Sequence, residues 1–128
     1  MMSSVSAVLF ARDARRLAQF YVVVFGAAVS TMDADHAALD LGAFRLVIHQ
    51  IPGHLAKAIE IRDPPLRRES GAIRLDYPVP DVVAARPAAK QLGGQIDDAP
   101  PPWADANTRF RLGFDPEGNV FGVSDLRS

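Results

Sequence analysis

The chain carries one pattern twice. Asp13 opens an apolar helical stretch that closes at Gly26, and Asp81 opens another that closes at Gly94, each landmark recurring sixty-eight positions later. An alternating segment precedes each stretch, Ser6–Arg12 in the first case and Ala72–Pro80 in the second, and strand-like sequence follows both. A chain of 128 residues that uses strand, helix and several strands twice is constrained to two half-domains sharing a core. The groove between such halves is where a site is expected.

Local patterning fills in each half. Val5–Ala11 reads as a short strand. Asp13 is placed to cap a helix by accepting backbone N–H bonds, with Leu17, Phe20, Tyr21 and Val24 at helical spacing and Gly26 as its stop. Val22–Val24 are β-branched, so burial must favour helix over strand there. Residues 27–32, 37–41 and 44–51 read as three strands. In the last, Phe44, Leu46 and Ile48 share one face, and Arg45, Val47 and His49 share the other. Residues 53–70 form a connector in which 54–61 fits one short helix or one strand.

The second half places Ile73, Leu75, Tyr77 and Val79 on one face of a strand and Arg74 and Asp76 on the other. Pro87 inside the helix that follows Asp81 predicts a kink, or a later helix start near Arg86. Pro100-Pro101-Pro102 makes a stiff arm leading to Trp103. Thr108–Phe114 alternates as a strand, with Phe110, Leu112 and Phe114 against Arg109, Arg111 and Gly113; Asp115–Asn119 is a turn, and 120–124 closes the chain as a strand.

The net charge of −1 argues against a nucleic-acid partner drawn by bulk electrostatics. The chain has no cysteine, which excludes disulfides and thiolate metal sites. No apolar run approaches the roughly 20 residues needed to span a bilayer, so no membrane partner is expected. With no charged n-region or cleavage signal at the N-terminus, the expected location is cytoplasmic.

Three features together resemble the vicinal oxygen chelate superfamily of glyoxalases, bleomycin-resistance proteins and extradiol dioxygenases. They are the run from Asp13 through Phe20-Tyr21 to Gly26, the run from Val79-Pro80-Asp81 to Gly93-Gly94, and Phe114-Asp115-Pro116-Glu117-Gly118-Asn119 before the final strand. The resemblance implies an α+β fold of two βαβββ modules forming a cup-shaped mixed sheet, assembled as a homodimer. It implies a single domain over residues 1–128, with module one at about 4–52, the connector at about 53–70 and module two at about 71–128.

Metal-dependent members of that superfamily place a ligand, usually His, seven residues before the helix-starting Asp. Those positions are Ser6 and Arg74 here. Their final-strand ligand, usually Glu, falls at Gly122, and only His49 of the first module is ligand-like. Arginine stays protonated and repels a divalent cation. The expectation is no metal and no cofactor.

By the family geometry, the face with Ser6 and Arg74 lines the cup, and alternation adds Arg45, His49, Asp76, Arg109 and Arg111 to it, with Trp103 as a lid. One reading is a pocket for a polar or anionic small molecule, because the guanidinium fork matches carboxylates and phosphates. The other makes these residues a solvated rim, with Arg74 paired to Asp76 and Trp103 sealing a core or a dimer. A bidentate pair two residues apart on one strand is expected to be strained. The expected function is metal-free binding of such a ligand; the alternative is a glyoxalase- or dioxygenase-like enzyme with displaced ligands.

Overall fold

The computed structural model describes residues 5–126; residues 1–4 and 127–128, and with them the outermost positions of both expected modules, lie outside the described residues. Two compact units divide the chain, Met1–Glu60 and Ile61–Ser128. The division falls inside the expected connector.

The first unit runs β1 (Ser6–Ala11), α1 (Ala14–Phe25), β2 (Ala28–Met32), β3 (His36–Leu41), β4 (Phe44–Gln50) and a single short turn of helix, α2 (Gly53–Ala56). The connector alternative thus resolves as helix. Asp13 Oδ1 accepts the Arg16 N–H at 3.1 Å, replacing one bond that a helix start cannot make for itself. Gly26 ends α1 in the left-handed region at φ +71°, where a side chain would be strained. Leu17, Phe20 and Tyr21 are at most 1% exposed and pack against an equally closed set, Leu39, Leu46 and Ile48. Burial of each such side chain contributes roughly 1.5–3 kcal/mol, which is what holds the valine run in a helix. Tyr21 stacks on Phe25 at 5.5 Å and meets the edge of Phe20 at 5.4 Å.

The sheet order is β1-β4-β3-β2, with β1 parallel to β4 and the other pairs antiparallel. Register puts Ser6 beside Arg45 and Phe10 beside His49. The face opposite α1 therefore carries Ser6, Arg45 and His49.

The second unit repeats the plan: β5 (Leu75–Val79), α3 (Val82–Gln91), β6 (Gln95–Ile96), β7 (Arg111–Phe114) and β8 (Val120–Asp125), in sheet order β5-β8-β7-β6 with β5 parallel to β8. The fold is thus α+β, with two four-stranded mixed sheets of the same βαβββ topology, each an open order of strands. Helices α1 and α3 begin at Ala14 and Val82, the sixty-eight-residue offset of the sequence repeat.

Three local expectations change. Ile73 precedes β5 and is 81% exposed, so it is no core residue. Pro87 neither delays α3 nor moves its start. Asp81 caps it by accepting from Val83 and Ala84 N–H, and the carbonyl that Pro87 leaves unpaired belongs to Val83, on the exposed side of the helix. The strand expected over 108–114 shortens to β7, because Thr108 Oγ1 takes the Phe110 N–H at 3.2 Å and diverts it from the ladder.

Before β8, buried Asp115 organises the turn. It accepts from Glu117 N–H, Asn119 N–H and the Asn119 side-chain amide. Gly118 sits at φ +86° with Leu66 O where a Cβ would stand, and its carbonyl accepts from Arg68 N–H. The chain leading out of the connector is thereby docked on this turn. Among the described residues, no helix is long and apolar enough to cross a membrane.

Candidate functional site

A polar and aromatic cluster of the second unit grows from Gly122 in the middle of β8. Register sets Asp76 of β5 and Leu112 of β7 on either side of it. A Cβ at position 122 would collide with Asp76 Oδ1 and stand 2.6 Å from the Phe110 ring. The missing side chain is what admits the Asp76 carboxylate and the Phe110 ring to this face.

Asp76 in turn holds Arg74. Arg74 Nε donates to Asp76 Oδ1 at 2.7 Å and Nη2 to Oδ2 at 3.0 Å. The expectation that this spacing strains a bidentate pair is corrected. Arg74 lies just outside the first residue of β5, so its backbone is free of the pleat and its long side chain folds back along Asp76. The hydrogen bonds that Arg74 donates to Asp76 raise its pKa above the usual value. The guanidinium carbon lies 5.2 Å from the Phe110 ring centre and 5.8 Å from that of Trp103, within reach of cation–π attraction. Trp103 and Phe110 lean on each other at 5.9 Å. Trp103 itself remains 65% exposed, an aromatic face open to solvent at the end of the proline arm. Phe110, on the side of the alternation opposite Arg109 and Arg111, is the residue that lies beside Arg74 on this face.

Arg109 and Arg111 do not join this face. Arg111 lies beside Val123 in register, on the side covered by α3. Arg109 Nε pairs with the carboxylate of Asp125, which is fully buried and also accepts the Val82 N–H at the start of α3. The alternation of the segment was read correctly, but its sides were exchanged. A buried carboxylate under α3 draws arginine to that side, and the space at Gly122 draws Phe110 to the other.

In the first unit, Ser6, Arg45 and His49 do share a face. Arg45 is held by Asp40 at 3.0 Å and by Ser30 Oγ at 3.4 Å. His49 lies 6.1 Å from the Phe10 ring, with Nδ1 3.1 Å from Gln50 O, and stays exposed.

Sequence reading missed one further ion pair. Arg67 of the connector grips Asp97 through both Nη atoms at 2.8 Å, beside the Phe114 ring. Burial pushes the Asp97 carboxyl up, but hydrogen bonds from Arg67 and Gln95 outweigh it and hold the pKa below the usual range. Arg67 is raised by the same bond. Its Nε lies 3.0 Å from Glu69 Oε1 in an orientation that makes no hydrogen bond. Nothing in the spacing of residues 67 and 97 signals this contact.

A family model for the glyoxalase-like domain matches residues 6–124, which span both units. The chain belongs to the glyoxalase-like domain family. Solved structures of similar fold include a glyoxalase/bleomycin resistance protein/dioxygenase family enzyme from Burkholderia phytofirmans PsJN, at 22% identity and TM-score 0.65, covering 94% of this chain and 96% of that one. The genomically encoded fosfomycin resistance protein of Listeria monocytogenes matches at 14% identity and TM-score 0.64, covering 97% and 91%. The bleomycin-binding protein of Streptomyces verticillus, solved with copper(II)-bleomycin, matches at 20% identity and TM-score 0.57, covering 98% and 97%. Among curated proteins none matches this chain.

The metal that the superfamily resemblance implies does not fit the residues present. Of the positions that the family resemblance points to, Ser6 is a weak donor, Arg74 is a cation already bound to Asp76, and Gly122 has no side chain while its space is filled by Asp76 and Phe110. Among the described residues, no three His, Asp or Glu side chains converge to hold an ion. A zinc or iron site needs three or four such donors.

Proposed function

We propose that this glyoxalase-like protein is a metal-free small-molecule-binding protein of the bleomycin-resistance type, taking a polar or anionic ligand against Arg74 and Trp103. The observation that carries the reading is Gly122: where a metal-dependent relative would present a carboxylate, this chain makes room for a fixed arginine. Asp76 holds that guanidinium 5.2 Å from the Phe110 ring centre, and Arg74 Nη1 has no hydrogen bond among the described residues. It is a donor poised beside an open indole face, suited to a planar ligand that bears a carboxylate or a carbonyl. A structural neighbour solved with copper(II)-bleomycin supports a binding role. In the first unit, the strip of Ser6, Arg45 and His49 is proposed as ligand-contact surface on the same polar grounds. The single family model across both units supports treating them as one domain. A homodimer and a cytoplasmic location complete the proposal; light scattering and cell fractionation test them.

Trp103 is the only tryptophan of the chain, so its emission reports on this site alone. Titration with a panel of aromatic carboxylates is expected to quench it saturably and to raise the melting temperature. Arg74→Ala is expected to weaken that binding by roughly ten- to a hundredfold, the effect of a charge-assisted hydrogen bond of roughly 1.5–3 kcal/mol. Emission and melting temperature indifferent to every ligand would overturn the binding reading. Roughly one zinc, iron, manganese or nickel per purified chain, held with the few-ligand stoichiometry of a true site, would overturn the metal-free reading.

A further inference from the structure

The arginines displaced from the Asp76 face border a cavity of their own. Beneath the start of α3, a pocket of about 60 Å³ is lined by Val82, Val83, Arg86, Asp98, Arg109 and Arg111. It shares Val83, Arg86 and Asp98 with a groove of about 630 Å³ along α3 and β6, whose wall continues over Pro87, Lys90, Gln95 and Ile96. That groove is within the range of about 300–1,000 Å³ usual for small-molecule sites.

The charges in the pocket are arranged unequally. Arg109 is committed to Asp125. Arg111 is pinned by Nη1, which donates to Thr108 O at 2.7 Å and to Phe110 O at 2.9 Å. Arg86 is pinned by Nε, which donates to Ile96 O at 3.2 Å. Each is fixed by one edge of its guanidinium. Nε and Nη2 of Arg111 and both Nη atoms of Arg86 make no hydrogen bond among the described residues. Two guanidinium groups with unused donors thus border one small space, against a single lining carboxylate that makes no ion pair, Asp98. Asp97, whose charge Arg86 feels, is already held by Arg67. With Arg109 offset by Asp125 behind the wall, the pocket lining is one positive charge in excess, and Lys90 adds another along the groove. A fork fixed at one edge and open at the other is preorganised for an oxyanion, since little side-chain entropy remains to be lost on binding.

We propose that this pocket binds the carboxylate or phosphate group of a small amphipathic anion between Arg86 and Arg111, with the ligand's apolar body laid along Val83, Pro87 and Ile96 in the adjoining groove. The site lies on the opposite face of the sheet from Arg74 and Trp103, and it stands independently of the function proposed for that cluster.

Backbone amide NMR of the full chain tests it, with acetate, inorganic phosphate and octanoate as probes. Octanoate is expected to move the amides of Val83, Arg86, Ile96 and Arg111 saturably while the Trp103 indole N–H stays in place. Acetate and phosphate should move the same amides with affinity lower by roughly tenfold or more, for want of the apolar body. Arg86→Gln and Arg111→Gln should each weaken octanoate roughly tenfold. Asp98→Asn, at an exposed position that leaves the fold undisturbed, should tighten it by roughly two- to fivefold by removing the one opposing charge. No shift at millimolar octanoate, shifts confined to Trp103, or an affinity unchanged in Arg86→Gln and Asp98→Asn would overturn the site. Equal affinity for octanoate and acetate would overturn its apolar arm.

Discussion

At residue scale, two glycines decide more than any charged group. Gly122 exists to leave room: with no Cβ, it lets Asp76 and Phe110 meet on one face and lets Asp76 hold Arg74. Gly122→Ala is expected to destabilise the protein by roughly 1–3 kcal/mol, as overpacking does, and to shift Trp103 emission, because Phe110 must move and Trp103 rests on it. Thermal unfolding followed by both circular dichroism and fluorescence checks this; a stable variant with unchanged emission would mean that the cluster is not built around position 122. Gly118 acts differently. Its left-handed φ of +86° costs a side chain about 1–2 kcal/mol, and Leu66 O stands where the Cβ would be. Gly118→Ala should therefore lower the unfolding midpoint by more than the conformational term alone, and loosen the connector at Arg68, which amide exchange would register.

At the scale of elements, both long helices start on an aspartate and each has help from a distant strand: Gln50 of β4 takes the Ala14 N–H at 2.8 Å at the start of α1. Asp13 serves Arg16 N–H; Asp81 serves Val83 and Ala84 N–H while Asp125 of β8 takes Val82 N–H at 2.6 Å. Asp81→Ala is expected to cost about 1 kcal/mol. Asp125→Ala should cost more, roughly 2–3 kcal/mol, because it leaves the Val82 N–H at the start of α3 without its acceptor in a buried place, while the half-exposed Arg109 regains water. Urea unfolding of the two variants side by side gives the order, and an Asp81 variant weaker than the Asp125 variant would contradict it. The same carboxylate explains why the arginines of the β7 segment turn toward α3.

At the scale of the whole molecule, the connector is tied down by charge. The pKa of Asp97 is lowered in the folded chain, so protonation favours the unfolded chain. The contribution of its pair with Arg67 is fully present above the unfolded carboxylate value of about 3.9 and is lost as pH falls through the lower folded value. Asp97→Asn should remove about 1–3 kcal/mol at neutral pH and flatten the acid limb of the stability curve. Unfolding midpoints measured from pH 7 down to about pH 3 test this; parallel curves for the variant and the parent would show that other carboxylates set the acid limb.

The repeated Asp-to-Gly spacing, the helical period of Leu17, Phe20, Tyr21 and Val24, and the Asp115–Asn119 turn are local signals. From them the two βαβββ units, the family and the helix caps were legible in the chain alone, and the unsuitability of Ser6, Arg74 and Gly122 as metal ligands followed from side-chain chemistry. Alternation also separated Phe110 and Leu112 from Arg109 and Arg111, since period two is a property of any strand. Which set faces which side is not a property of the strand. It was decided by contacts far along the chain: Asp125 buried beneath α3, the space above Gly122, and Arg67 reaching Asp97 across thirty positions. Those partners meet only once the sheet is assembled, so the arrangement of the candidate sites was settled by tertiary packing and electrostatics, while the elements that carry them were written in local period and turn chemistry.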